Sequence, residues 1–233
     1  MKSSFALLGL ATLAAAAPTL DERQTGSCVP AGAVHMIVAR GSNEAAGQGI
    51  IGQVATMVQN ALPGSDSVAV NYPATIQNYQ SSESQGVAAM KTLITDYVSR
   101  CPNSKIALLG YSQGGHISAD TMCGSSSTSF GSGSTSAPIS ATIATNNIVA
   151  VIEMGDPSHV TGQPYNVGTS TKNGIYPRSN AASCQGKTYT QSYCDTGDTF
   201  CDSGNSIQVH LGYVQKYGSQ AASYIQQKVK GAA

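Results

Sequence analysis

Apolar residues along this chain gather in short continuous runs that alternate with stretches of helical spacing. The first run, Val34 to Ala39, holds one polar side chain, His35, and ends in the turn-forming Arg40-Gly41-Ser42-Asn43. A strand buried on both faces reads this way. From Ile50 to Leu62 the apolar positions Ile51, Val54, Met57, Val58 and Leu62 recur every three or four residues, and Pro63-Gly64 stops them. That is one face of a helix. Val68-Ala69-Val70 is a second strand, and a longer helix is predicted from Ser82 to Ser99, burying Val87, Met90, Leu93, Ile94 and Val98. Lys105 to Tyr111 is a third strand, followed by a helix through His116 to Met122. Ile148 to Met154 is a fourth strand, closed by Gly155-Asp156-Pro157; Thr188 to Tyr193 is a fifth, and Val209 to Lys228 a final helix.

Strands alternating with helices imply one α/β domain: a parallel sheet with helices on both faces. Such a sheet carries its chemistry at the carboxyl ends of its strands. Ser42, Ser112, Asp156 and the loop from Cys194 to Cys201 all fall at such ends. The Ser-, Gly- and Thr-rich stretch Gly124 to Ser136 reads as a surface loop, because the strands and helix downstream of it complete the same sheet.

Composition changes the picture at the ends and at the surface. Lys2, the apolar run Phe5 to Leu13 and Ala14-Ala15-Ala16-Ala17 make residues 1–17 a signal peptide. Residues 18–27, with Asp21-Glu22-Arg23, read as a pro-segment or spacer, leaving 28–233 as the folded domain. Export suits the six cysteines, all beyond the leader, which are expected to form three disulfides. Spacing leaves their connectivity open, although Cys194 and Cys201 bracket a loop short enough to clamp. No pair has Cys-x-x-Cys spacing, so zinc and dithiol redox chemistry are not expected. Net charge is zero and only 10% of residues are charged, which gives no attraction to nucleic acid or anionic membrane. A secreted monomer without metal or cofactor is the expectation.

The candidate chemistry centres on Gly110-Tyr111-Ser112-Gln113-Gly114, between the third strand and its helix. Gly-x-Ser-x-Gly at that junction is the nucleophile elbow of α/β-hydrolases. The turn lifts the serine hydroxyl above the sheet, and the helix behind it aims N–H groups where an oxyanion would form. The serine needs a base, and the base an orienting carboxylate. Among four histidines, His35 opens a core strand, and His116 lies one turn beyond Ser112 on the same helix. His159 follows Pro157 in a loop. His210 comes late in the chain at the head of a helix, which fits the order Ser…Asp…His, and is the chosen base. Asp198, inside the loop from Cys194 to Cys201, is the chosen acid; Asp195, Asp202 and Asp156 are its rivals.

These residues together resemble the fungal cutinase and acetylxylan esterase family of small serine esterases, from Cys28 to the C-terminal helix. The resemblance rests on Val38-Ala39-Arg40-Gly41-Ser42, the elbow, Met154-Gly155-Asp156-Pro157, Tyr193-Cys194-Asp195 through Cys201, and His210-Leu211-Gly212-Tyr213. It implies Ser112, Asp198 and His210 as a triad, with Ser42 and the Gln113 N–H as oxyanion hole. It also implies the pairs Cys28–Cys101 and Cys123–Cys184 beside Cys194–Cys201. Its two branches differ in substrate, acetylated xylan against the polyester cutin. Arg40-Gly41-Ser42 is similar to cutinases; the Gly155 region, the stretch from Tyr193 onward and Tyr217-Gly218-Ser219-Gln220-Ala221 are similar to acetylxylan esterases. A further disulfide of some acetylxylan esterases has no cysteines here. The segment before His210, Asp202 to Val209, is largely polar, so a polar rim suited to hydrated polysaccharide is expected. Acetylxylan esterase is therefore the preferred reading, cutinase the alternative, and a non-catalytic wall-binding relative the reading from another class.

Overall fold

The computed structural model describes residues 27–126 and 136–232. The leader 1–17, nearly all of the 18–27 spacer and most of the stretch from Gly124 to Ser136 lie outside the described residues. Six strands form one parallel sheet: β1 (His35–Ala39), β2 (Asp66–Ala69), β3 (Ile106–Tyr111), β4 (Ile148–Met154), β5 (Asn166–Val167) and β6 (Thr190–Tyr193). Their order across the sheet is β2-β1-β3-β4-β6-β5.

The strands' apolar runs divide by parity, as side chains on a pleated strand must. Met36, Val38, Ala107, Leu109, Ala150 and Ile152 face one core, shared with α1 (Gly52–Ala61) and the long C-terminal helix α6 (Tyr213–Gly231). Ile37, Ala39, Ile106, Leu108 and Val151 face the other, closed by α2 (Tyr79–Arg100), α3 (Gln113–Cys123) and α4 (Ala141–Asn146). Each fully buried Ile, Leu or Met there contributes roughly 1.5–3 kcal/mol over its exposed state, so the two layers hold the sheet from both sides.

Three features differ from the sequence reading. The sheet has a sixth strand, β5, only two residues long, held at the edge by β6. Helix α4 occupies a stretch to which the sequence assigns no element. The single helix expected from Val209 to Lys228 is two, α5 (Ile207–Leu211) and α6, which meet at Gly212. That break frees His210 to face the sheet's carboxyl edge. The disulfides join Cys28 to Cys101, Cys123 to Cys184 and Cys194 to Cys201. Among the described residues no helix is long and apolar enough to cross a membrane.

Candidate active site

The elbow is a consequence of two absent side chains. Ser112 holds φ 55°, ψ −117°, a region that costs a non-glycine residue roughly 1–3 kcal/mol. A Cβ on Gly110 would lie 2.1 Å from the Gly114 carbonyl oxygen, and one on Gly114 would lie 2.0 Å from that of Ala39. Only glycine at both positions lets α3 begin directly on top of β1 and β3. Gln113 is the first residue of α3, so its N–H has no acceptor within the helix. Its side chain is occupied elsewhere: Oε1 accepts from Ser82 Oγ, and Nε2 donates to the carbonyls of Thr75 and Tyr79.

His210 reaches Ser112 from α5. Its Nε2 lies 2.9 Å from Ser112 Oγ, and its Nδ1 lies 2.9 Å from Asp198 Oδ2. Asp198 is completely buried, and its other oxygen accepts the N–H groups of Phe200 at 2.6 Å and Cys201 at 2.9 Å. The Cys194–Cys201 disulfide closes the loop that carries it. Tyr111 donates its hydroxyl to the His210 carbonyl at 2.6 Å, and Phe200 packs edge-on against the imidazole with centroids 4.5 Å apart. Gly155, at φ +67°, leaves the ring its space: a Cβ there would sit 2.8 Å from His210 Cε1. A hydroxyl, an imidazole and a buried carboxylate in this order can pass a proton from oxygen to ring while the carboxylate steadies the cation formed. The sequence presents Tyr111 and Gly155 only as parts of their motifs; their contacts with His210 escape it, because they span about a hundred and about fifty-five residues of chain.

The rival residues sit elsewhere. His35 lies at the opposite end of the sheet, stacked on Tyr97 and 2.6 Å from Asp66 Oδ1. His116 turns away from Ser112 toward the Tyr79 hydroxyl at 3.2 Å. His159 is buried under the β4 exit, and neither ring nitrogen meets a hydrogen-bond partner among the described residues. Asp156 accepts from the Ser158 N–H and hydroxyl. Asp195 is bound by Lys216 and Tyr217, and Asp202 by Ser170 with the N–H groups of Thr171, Lys172 and Gly197. Those donors hold both Asp195 and Asp202 below the usual carboxylate range, against the opposing effect of burial.

A cavity of about 260 Å³ opens beside Ser112, lined by Ser42, Tyr79, Tyr111, Phe200 and His210 among others. Its rim corrects the expectation of a polar border. The loop before His210 is polar as read, yet Ile76, Ile175, Ile207 and Leu211 ring the opening, exposed by 56%, 36%, 43% and 56%. They come from three segments of the chain, Ile207 and Leu211 sharing α5, and of the four only Ile207 lies in the stretch before His210.

Behind the site, between α2 and α3, lies a buried polar cluster. Glu83, His116 and Asp120 each bring a potential ligand atom within 4.8 Å of the others. Arg178 already supplies the positive charge, with Nη2 2.9 Å from Asp120 Oδ1. Burial first, and then the Asp120 carboxylate, push the Glu83 carboxyl up from the ordinary 4.5 to about 8, so it holds its proton in neutral solution. Glu153, buried near Asp156, is pushed up to about 8 in the same way. Burial lowers His116 and His159 below the ordinary 6.5. The signs then separate. Below pH 6.5 the unfolded chain takes up protons that the two histidines refuse, so their contribution to stability rises with pH. Between about 6.5 and 8 the folded protein keeps carboxyl protons that the unfolded chain has lost, so stability falls as pH rises. Denaturant midpoints measured across that window are expected to decline for the wild type and to decline less for Glu83→Gln. An equal slope in the two proteins would contradict the raised carboxyl.

Comparison with known proteins agrees with this architecture. The Cutinase family matches residues 30–229. Acetylxylan esterase 2 of Talaromyces purpureogenus is 36% identical, covering 98% of this chain and 100% of its own. Cutinase 11 of Verticillium dahliae is also 36% identical, covering 98% of this chain and 78% of its own. The solved catalytic core domain of acetyl xylan esterase from Trichoderma reesei superimposes with a TM-score of 0.79 at 35% identity, over 86% of this chain and 99% of that one. With the elbow, the sheet order and the Ser112–His210–Asp198 line in place, this chain belongs to the cutinase family.

Proposed function

We propose that the protein is an exported, monomeric serine esterase that removes acetyl groups from xylan. The observation that carries the reading is the line of two 2.9 Å hydrogen bonds from Ser112 through His210 to buried Asp198, at the mouth of the cavity. In the first step Ser112 Oγ attacks the acetyl carbonyl as His210 Nε2 takes its proton. The Gln113 N–H and Ser42 hold the oxyanion. Collapse expels the sugar oxygen, which receives the proton from His210, and leaves Ser112 acetylated. Water then attacks the acetyl-enzyme with His210 again as base, releasing acetate and restoring the serine.

The choice of xylan follows the acetylxylan esterases among the relatives and structural neighbours, at 34–37% identity. The apolar rim favours a second reading, a cutinase that accepts long acyl chains, and one cutinase relative is as similar in sequence. Comparing kcat/KM on p-nitrophenyl acetate, butyrate and laurate, with acetate release from acetylated xylan, separates them. Acetate is expected to exceed laurate by about tenfold or more, about 1.4 kcal/mol of transition-state discrimination, with acetate freed from xylan. Equal or faster turnover of laurate, with little action on xylan, would establish the cutinase reading.

A further inference from the structure

We propose that Glu44 is a positioning residue for this reaction: its carboxylate fixes the loop carrying Ser42 against the elbow. The inference rests on the serine-esterase reading above. The chain between Ala39 and Gly52 makes a wide loop with little backbone pairing of its own, and its two ends are joined through one side chain. The Gly41 N–H donates to Glu44 Oε2 at 2.5 Å, and the Ile50 N–H donates to Oε1 at 2.7 Å. Both are charge-assisted bonds, stronger than those to a neutral acceptor. The loop is shaped around the group. Gly49 holds φ +60°, and a Cβ there would lie 2.2 Å from Glu44 Oε2.

Neighbouring bonds anchor the same turn from the other side. Arg40 Nε donates to the Glu44 carbonyl at 3.0 Å and Nη2 to that of Tyr72 at 2.7 Å, while the Tyr72 hydroxyl returns a bond to the Arg40 carbonyl at 2.5 Å. Ser42 is thus suspended between fixed points at Gly41 and at Asn43, whose N–H donates to the Ala74 carbonyl at 2.7 Å, and lines the cavity with Ser112. The start of α3 abuts this turn, since a Cβ on Gly114 would lie 2.7 Å from the Arg40 carbonyl oxygen. Displacing Gly41 therefore shifts Ser42 relative to the Gln113 N–H. Stabilisation of an oxyanion depends on donors already at hydrogen-bond distance from where the charge develops.

The test uses the whole protein on p-nitrophenyl acetate. Glu44→Gln keeps the size but turns an amide NH₂ toward one of the two N–H donors. It is expected to lower kcat about tenfold or more, toward the roughly 10²–10³ that losing an oxyanion donor costs, with KM changed less than about twofold. Gly49→Ala crowds the carboxylate from the opposite side and is expected to give the same split. In a Ser42→Ala background, Glu44→Gln is expected to cost less than about threefold more, because the group it positions is gone. An unchanged kcat in both single variants overturns the inference. So does the full loss from Glu44→Gln in the Ser42→Ala background, since a merely structural role adds independently. Ser112→Ala, run alongside, keeps the readings apart. If it is inactive while Glu44→Gln is normal, only this inference fails; if it retains full activity, the esterase reading fails as well.

Discussion

Ser112→Ala is expected to lower kcat on the order of 10⁶-fold, the size of loss seen when the serine of such a triad is removed. Without Oγ there is nothing for the acyl group to bond to, and His210 Nε2 loses the hydroxyl now 2.9 Å away. Ser42 and the Gln113 N–H, the oxyanion donors proposed above, remain, so residual hydrolysis above water is expected, on the order of 10³–10⁴ over the uncatalysed rate. Stability is expected to hold or rise. The substituted alanine must adopt the same φ of 55°, but the buried side of the elbow depends on Gly110 and Gly114 and not on the hydroxyl. Labelling with a fluorophosphonate gives an independent check. The wild type should take up one equivalent and Ser112→Ala none. Labelling of the variant at another residue would move the nucleophile elsewhere.

Parts of this site are legible in the sequence because they are local. Gly-Tyr-Ser-Gln-Gly after Ile106 to Leu109 specifies strand, strained turn and helix within a dozen residues, and the structure forms all three. Asp198 is legible for a similar reason: a short loop between two cysteines just upstream of His210 confines the carboxylate before any long-range contact is known. What escapes is whatever the tertiary fold assembles from single residues. Ile76, Ile175 and Leu211 each stand among mainly polar or small neighbours, and only the folded sheet brings them to one rim. Glu44 gives no signal because its partners are backbone N–H groups, which nearly every residue owns. Glycine in a helical pattern is ambiguous as well. Gly212 ends α5, whereas Gly218 lies inside α6, where a Cβ would meet Met57 and Val54 only at ordinary contact distances of 3.7 and 3.8 Å.

The rim also bears on the choice of substrate. Four exposed aliphatic side chains around a 260 Å³ cavity place hydrocarbon where an acyl chain or the apolar face of a sugar would rest. Burying such surface yields about 25 cal/mol per Å². The rim therefore weighs toward an acyl chain, and the depth of the cavity, which longer p-nitrophenyl esters probe, is the property that tests it.

Asp198→Asn is expected to lower kcat by about 10⁴-fold with little change in KM. The size of the effect follows from which atoms are already committed. Asp198 Oδ1 accepts from the Phe200 and Cys201 N–H groups, so in the variant the amide oxygen must keep that place. The amide NH₂ then falls at the position of Oδ2, facing His210 Nδ1 at 2.9 Å. Two donors cannot share that contact, so the imidazole takes the tautomer with Nδ1 as acceptor and its proton on Nε2. A protonated Nε2 cannot accept the Ser112 hydroxyl proton. Geometry survives while the base is lost. Thermal unfolding midpoints should accordingly stay close to wild type for Asp198→Asn. They should fall for Asp198→Ala, which strands the Phe200 and Cys201 N–H groups in a buried loop at roughly 1–3 kcal/mol each. Measuring kcat and the midpoint for both variants separates the two roles of this carboxylate. An Asp198→Asn enzyme within about tenfold of wild type would show that the imidazole is oriented by some other group.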